Sequence, residues 1–246
     1  MPRLDPAGVP PWRGLLALCR VSNLPTVWMN ALTAVVLADP PMPASAGTAA
    51  LLAVALAAFY CGGMALNDVF DAEEDARSQP YRPIPAGLVT KSRARALATL
   101  LLLLGPALLL AAPFPTAVIP GLLLLAAIYG YDRYHKAHPA TVLLMAACRL
   151  LVFAVSAWAV AGAVTPVVLA AGTVQFIYTL SVTLVARWEG RRGRAYSWPV
   201  VPNLLAAMAL VDGLFLTVVA SPLWLLPAAA AAALTRLGQR FVVRGD

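Results

Sequence analysis

Five acidic residues crowd the segment Asn67-Asp68-Val69-Phe70-Asp71-Ala72-Glu73-Glu74-Asp75, directly after a long, mostly apolar run. Read as a helix, Asp68, Asp71 and Asp75 share an arc of roughly 60° and spread over about 10 Å of axial rise. Carboxylates on one stripe repel each other unless a cation sits among them. A hard divalent ion such as Mg²⁺ takes oxygens of this kind and keeps positions open for phosphate. Asn67 and Glu74 flank the stripe, and Glu73 points away. Arg77, Arg82, Lys91, Arg93 and Arg95 follow. Within this basic stretch, Pro80-Tyr81-Arg82-Pro83-Ile84-Pro85-Ala86-Gly87 is too rich in proline to be helical. An ordered loop there can hold Arg82 over the stripe, where a guanidinium grips phosphate through paired hydrogen bonds. The combination points to a lipid-diphosphate site with Asp68, Asp71 and Asp75 as metal ligands. A membrane-edge loop whose arginines only set topology is the alternative.

The elements that must position these groups are membrane spans. The chain has 246 residues, 61% hydrophobic and 12% charged, with mean hydropathy +0.79. A soluble domain carries about twice that charged fraction. Runs of about 20 apolar residues cross a bilayer. They lie near 14–38, 46–66, 94–112, 116–131, 139–161, 164–186, 199–219 and 221–237, within a single polytopic domain over 1–246. The first run holds Arg20, Asn23 and Pro25 and is followed by further spans, so it is not read as a cleaved leader. Lys and Arg gather at the N-terminal end and the opening of the first run, in alternate loops and at the C-terminal end; only Arg149 falls deep inside a span. The positive-inside rule then predicts that both termini and all the charged loops are cytoplasmic. The net charge of +7 belongs to that face, beside anionic headgroups and anionic substrates rather than nucleic acid. Cys19, Cys61 and Cys148 lack metal-ligand spacing and read as packing residues. Nucleotide-binding loops and nucleophile elbows are missing from the sequence.

Asn67–Gly87 resembles the first signature of the UbiA superfamily of intramembrane prenyltransferases, NDxxDxxxD followed by an R…RPxPxG loop. Arg20-Val21-Ser22-Asn23-Leu24-Pro25-Thr26-Val27-Trp28 is similar to that family's first helix, and Tyr131 to Lys136 resembles its Tyr…Lys pair. The resemblance implies an all-α membrane bundle, usually of nine spans, around a central cavity open to lipid. It also implies Mg²⁺ on Asp68, Asp71 and Asp75, assisted by Asn67. A polyprenyl diphosphate would be bound with help from Arg20, Arg77, Arg82, Tyr131 and Lys136, and its prenyl group passed to an aromatic or otherwise electron-rich small acceptor. Phe59, Tyr60, Tyr129, Phe153, Trp158, Phe176 and Tyr178 are available to stabilise the allylic cation, with core packing as their alternative role.

The pattern breaks at Arg187-Trp188-Glu189-Gly190-Arg191, where the family's second acidic motif, DxxxD, is expected. Two outcomes are physically reasonable. Arg187 and Arg191 contact diphosphate directly, with one metal retained; or the chain binds or transports a prenyl or phospholipid without turnover. Met145–Arg149 and Ala186-Arg187-x-Glu189 resemble a divergent branch of the family, the EboC-like proteins, which would leave the acceptor unassigned. Arg149 and Asp212 are ionisable groups inside spans and should pair with each other or serve substrate. Asn203 and Gln175 are expected to bond between helices. Asp132 is expected to pair with Arg133 or Lys136 at the surface, and His135 and His138 lack a third metal ligand.

Overall fold

The computed structural model describes residues 10–40, 44–192 and 198–241, without the side chains of Pro11, Arg191, Arg192 and Phe241. Their regular structure is helical: α1 (Pro11–Leu18), α2 (Leu24–Leu37), α3 (Ala46–Ser78), α4 (Lys91–Leu109), α5 (Val118–Tyr134), α6 (Val142–Ala161), α7 (Pro166–Arg192), α8 (Val200–Val219) and α9 (Leu225–Phe241). Short 3-10 turns lead into α2, α5, α6 and α9. Six helices, α3 to α8, are long and apolar enough to cross a bilayer. The protein is an integral, multi-pass membrane protein of all-α fold.

The expected first span, 14–38, is two helices rather than one. The chain breaks at Arg20, whose backbone is left-handed (φ 45°, ψ 45°), and passes through a 3-10 turn at Val21–Asn23. Pro25 then sits in the first turn of α2, where its missing N–H costs nothing and its fixed φ suits the helix. With 14 residues, α2 reaches only about 21 Å.

α3 departs from expectation in the other direction. Ser45 caps it by accepting from the Thr48 amide at 3.1 Å, and it runs for 33 residues, well past the end of its apolar run at 66. Nothing from Asn67 to Ser78 breaks a helix; Pro80 is the first residue that does. A helix of about 50 Å exceeds a hydrocarbon core of about 30 Å, so its last three turns carry the acidic stripe out to the membrane rim.

α3 packs chiefly on α4, α6 on α5 and α7, and α8 on α9, while α2 lies between α3, α6, α8 and α9. The α8–α9 contact depends on Gly213. A Cβ there would lie 2.4 Å from the Cβ of Ala228, which is fully buried. Two methyl groups fixed to two helix backbones cannot rotate apart. Gly213→Ala is therefore expected to lower stability by about 1–3 kcal/mol, read as a lower unfolding midpoint in detergent. An unchanged midpoint would mean that α9 shifts freely against α8.

Candidate active site at the inner end of α3

Asp68, Asp71 and Asp75 lie on the buried face of α3, at 3%, 6% and 3% exposure. Carboxylates this deep need opposite charge. Arg82 supplies the centre of it: its Nη1 lies 2.9 Å from Asp75 Oδ2, 3.6 Å from Asp68 Oδ1 and 3.9 Å from Asp71 Oδ2. Arg20 Nη2 donates to Asp68 Oδ1 at 3.0 Å, and its Nη1 meets Met64 Sδ at 3.0 Å. Lys136 Nζ bridges Asp71 Oδ1 (2.7 Å) and Glu74 Oε2 (2.8 Å), and His135 Nε2 is 3.4 Å from Asp71 Oδ2. The hydrogen bond to Asp71 raises the His135 pKa above its usual value against the effect of burial, so the imidazolium is favoured here. Burial opposes the charged form of Lys136 as well. Its bonds to Asp71 and Glu74 outweigh that, and its pKa is also raised.

Local backbone chemistry aims these cations. The left-handed Arg20 costs roughly 1–2 kcal/mol, and the strained turn delivers its guanidinium to Asp68. Past α3 the proline loop is folded on itself. Arg82 N–H donates to Gln79 O, Ala86 N–H to Arg82 O, and the amides of Leu88 and Val89 to Pro83 O. Gly87 takes the left-handed conformation (φ 74°) that closes the turn. Gln79 Oε1 accepts from Arg82 Nε at 3.1 Å and fixes the plane of the guanidinium.

A cavity of about 90 Å³ adjoins the stripe. Its wall is mostly apolar (Val27, Leu56, Phe59, Leu124, Ile128, Val152), and its polar side chains are Tyr60, Tyr131, Asp132 and Arg149, with sulfur from Met64, Met145 and Cys148. Met64 stands one helical turn before Asp68, so cavity and stripe meet through Arg20. Tyr131 stacks on His135 at 5.1 Å between ring centroids.

The remaining sequence candidates fall apart into groups. Asn67 Nδ2 does not face the stripe; it donates to Asp132 Oδ1 at 3.3 Å. Arg77 is exposed and forms no ion pair among the described residues. Arg187 braces the α5–α6 connection: it donates to Pro139 O (2.9 Å), His135 O (3.4 Å) and Thr141 Oγ1 (3.3 Å). The Arg191 side chain lies outside the described residues. Of the aromatic candidates, Phe59 and Tyr60 line the cavity, and Phe153 is buried in the core. Tyr129 lies against Phe70, while Trp158 and Tyr178 donate to Thr116 and Leu204 O.

Three groups are placed differently from the sequence reading. Asp132 is not a surface partner of Arg133 or Lys136; it is 4% exposed and bonded to Asn67. His135 joins Asp71 instead of standing idle. Arg149 and Asp212 do not touch directly. Arg149 Nη1 donates to Asn30 Oδ1 (2.8 Å), and Asn30 Nδ2 donates to Asp212 Oδ2 (2.6 Å). Helical spacing gave a signal for Asp132, since Leu124, Ile128 and Asp132 recur every four residues along one face of α5.

Whether this donor set suits a divalent ion is answered by where its oxygens point. Three aspartates reach toward one cationic atom, Nη1 of Arg82, within 3.9 Å. Among the described residues no three His, Cys, Asp or Glu side chains are grouped so as to hold a metal ion; the carboxylates are turned onto cationic side chains. The oxygens are of the hard type that Mg²⁺ takes, but Arg82 Nη1 occupies the place where they converge, so a metal would require the guanidinium to withdraw.

The family model of the UbiA prenyltransferase family matches residues 27–244. The fold is similar to a solved structure of digeranylgeranylglyceryl phosphate synthase, with TM-score 0.60 and 18% identity, covering 94% of this chain and 95% of that one. It is also similar to a UbiA homolog from Archaeoglobus fulgidus bound to DMAPP and Mg²⁺, with TM-score 0.57, 16% identity and coverage of 94% and 88%. Curated relatives match over shorter stretches. The digeranylgeranylglyceryl phosphate synthase of Ignicoccus hospitalis is 51% identical over 63 residues, 26% of this chain and 21% of the relative. That of Methanoregula boonei is 34% identical over 116 residues, 47% of this chain and 39% of the relative. The matched stretches thus span about a fifth to two fifths of those relatives.

Proposed function

The chain belongs to the UbiA prenyltransferase family, and on that premise we propose that it moves a prenyl group from a polyprenyl diphosphate to a small acceptor, with Mg²⁺ as cofactor. The observation that carries this reading is the convergence of Asp68, Asp71 and Asp75 on Arg82 Nη1 beside an apolar cavity. Mg²⁺ held by Asp68, Asp71 and Asp75 would supply positive charge that offsets the charge of the leaving diphosphate. The chain does the rest. Asp68, Asp71 and Asp75 hold the ion, and Arg82 exchanges their carboxylates for diphosphate oxygens. Arg20 flanks that position from the break before α2, and Lys136 from the connection after α5. The cavity takes the prenyl chain, keeps water off the allylic carbon and presents the rings of Phe59, Tyr60 and Tyr131 to its developing positive charge. Arg187 acts through the loop that carries His135 and Lys136. Arg191 and Arg77 remain candidates for outer contacts with phosphate. The charged ends face the cytoplasm, where the water-soluble part of the donor is delivered.

Two acceptor classes are in play: the aromatic acceptor expected from the resemblance, and the glyceryl phosphate type named in the curated relatives. The test supplies both. Purified protein with geranylgeranyl diphosphate and Mg²⁺ is expected to release diphosphate at least tenfold faster when a competent acceptor, geranylgeranylglyceryl phosphate or a hydroxybenzoate, is added. EDTA should stop the release. A second reading, a binder without turnover, is favoured by one observation: Arg187 stands where an aspartate is expected and is occupied with backbone carbonyls. Tight prenyl diphosphate binding with no release across both acceptor classes would establish it.

A further inference from the structure

One polar group in the cavity wall has no part in holding metal or diphosphate. Asp132 lines the cavity from α5 at 4% exposure. Asn67 holds its Oδ1, but its Oδ2 is buried and has no hydrogen-bond partner among the described residues. The cationic side chains around the cavity and the stripe are committed elsewhere: Arg20, Arg82, Lys136 and His135 turn to the α3 carboxylates, and Arg149 donates to Asn30 and Thr26. The contact between His135 and Asp132 runs from Nδ1 to the backbone carbonyl, at 3.2 Å. A buried carboxylate oxygen without a donor is costly, and groups of that kind call for an absent partner. Asn67 is also the residue directly before Asp68, so this carboxylate, which lines the cavity, is tied to the helix that carries the stripe.

We propose that Asp132 is the acceptor's docking group and its proton acceptor: Oδ2 takes the hydrogen bond of a hydroxyl-bearing acceptor and removes that proton during transfer. The inference deepens the prenyl-transfer reading and rests on it. In the step, the allylic carbon–oxygen bond breaks and its electron pair leaves on the diphosphate. The acceptor oxygen forms the new carbon–oxygen bond, and its proton passes to Asp132 Oδ2. No oxidant or reductant is needed. Asn67, by donating to Oδ1, fixes the carboxylate plane so that Oδ2 stays available. Lys or Arg at this place would hold an anion; a lone carboxylate in an apolar wall selects a neutral O–H donor.

The experiment compares wild type with Asp132→Asn and Asp132→Glu in detergent, using geranylgeranyl diphosphate, Mg²⁺ and the two acceptors named above. Asp132→Asn should bind geranylgeranyl diphosphate within about threefold of wild type. It should lose about 10²- to 10⁴-fold of acceptor-dependent diphosphate release, and Asp132→Glu should recover part of it. Glyceryl or phenolic acceptors are distinguished by which one shows the loss. Release within threefold of wild type overturns the inference. So does a parallel loss of diphosphate binding, which would make Asp132 a pin for α3 through Asn67. Should Asp132→Asn not fold, the wild type is tested with the acceptor's O-methyl ether, and binding equal to that of the free hydroxyl overturns the inference. A wild type that binds prenyl diphosphate but never releases diphosphate sinks the transfer reading itself; an active wild type beside an equally active Asp132→Asn sinks only the role of Asp132.

Discussion

Asp71→Asn is expected to lower Mg²⁺-dependent turnover by about 10³-fold or more, with the fold intact. The magnitude follows from the charge at stake. A metal at a leaving group supplies several kcal/mol of transition-state stabilisation, and each 1.36 kcal/mol is tenfold in rate. Asparagine keeps the shape of Asp71 but removes the negative charge that Lys136 (2.7 Å), His135 (3.4 Å) and Arg82 (3.9 Å) now share. Lys136 keeps Glu74 and Arg82 keeps Asp75 as partners, and His135, which Asp71 holds in its charged form, can give up its proton. Binding supplies a readout independent of turnover. Mg²⁺ with prenyl diphosphate should raise the thermal midpoint of the wild type, by linkage worth about 2.7 kcal/mol at a hundredfold excess over Kd. Asp71→Asn should show little of that rise. If it keeps more than a tenth of wild-type turnover at saturating Mg²⁺, the ion is not held by this stripe.

How much of this site could be read in the chain depends on the range of each contact. The three aspartates and the proline loop are local: a spacing of three and four residues on one helix, and a turn whose prolines forbid continuation. The helical bundle was equally legible, because a bilayer imposes runs of about 20 apolar residues. The break at Arg20 was not, since a left-handed arginine carries no compositional mark and is held by its distant contact with Asp68. Asp132 was hidden for a related reason. Beside Arg133 and Lys136 it reads as one more surface charge, and only its register with Leu124 and Ile128 turns it inward. Its partner Asn67 is 65 residues away. Arg187 matched the position of a missing aspartate in sequence, yet its guanidinium is taken up by carbonyls of the α5–α6 connection, which no local pattern specifies.

The charges inside the bundle give the second large expectation, and Asn30 is where it is decided. Arg149 on α6 and Asp212 on α8 are linked through Asn30 on α2, which accepts from the first and donates to the second. Thr26 accepts the other arm of Arg149 at 3.2 Å, and Gln175 on α7 donates to Asp212 Oδ1 at 2.8 Å and to Met208 O at 2.7 Å. Four helices are tied together by these bonds, and Arg149, at one end of the hydrogen-bonded series, lines the cavity. Removing either charge leaves the other unpaired in a low-dielectric interior, at a cost of about 3–5 kcal/mol. An ordinary hydrogen bond between helices in lipid averages only about 0.6 kcal/mol. Asp212→Leu and Arg149→Met should therefore each lower the unfolding free energy in detergent by far more than one neutral bond. The double variant should lose much less than the sum, because both charges then leave together. Asn30→Leu separates the two arrangements the charges could adopt. With Asn30 as the bridge, losing it strands both ions and costs as much as either single change. With a direct Arg149–Asp212 pair it would cost no more than a neutral bond, so an Asn30→Leu protein that unfolds at the wild-type midpoint would overturn the bridged chain.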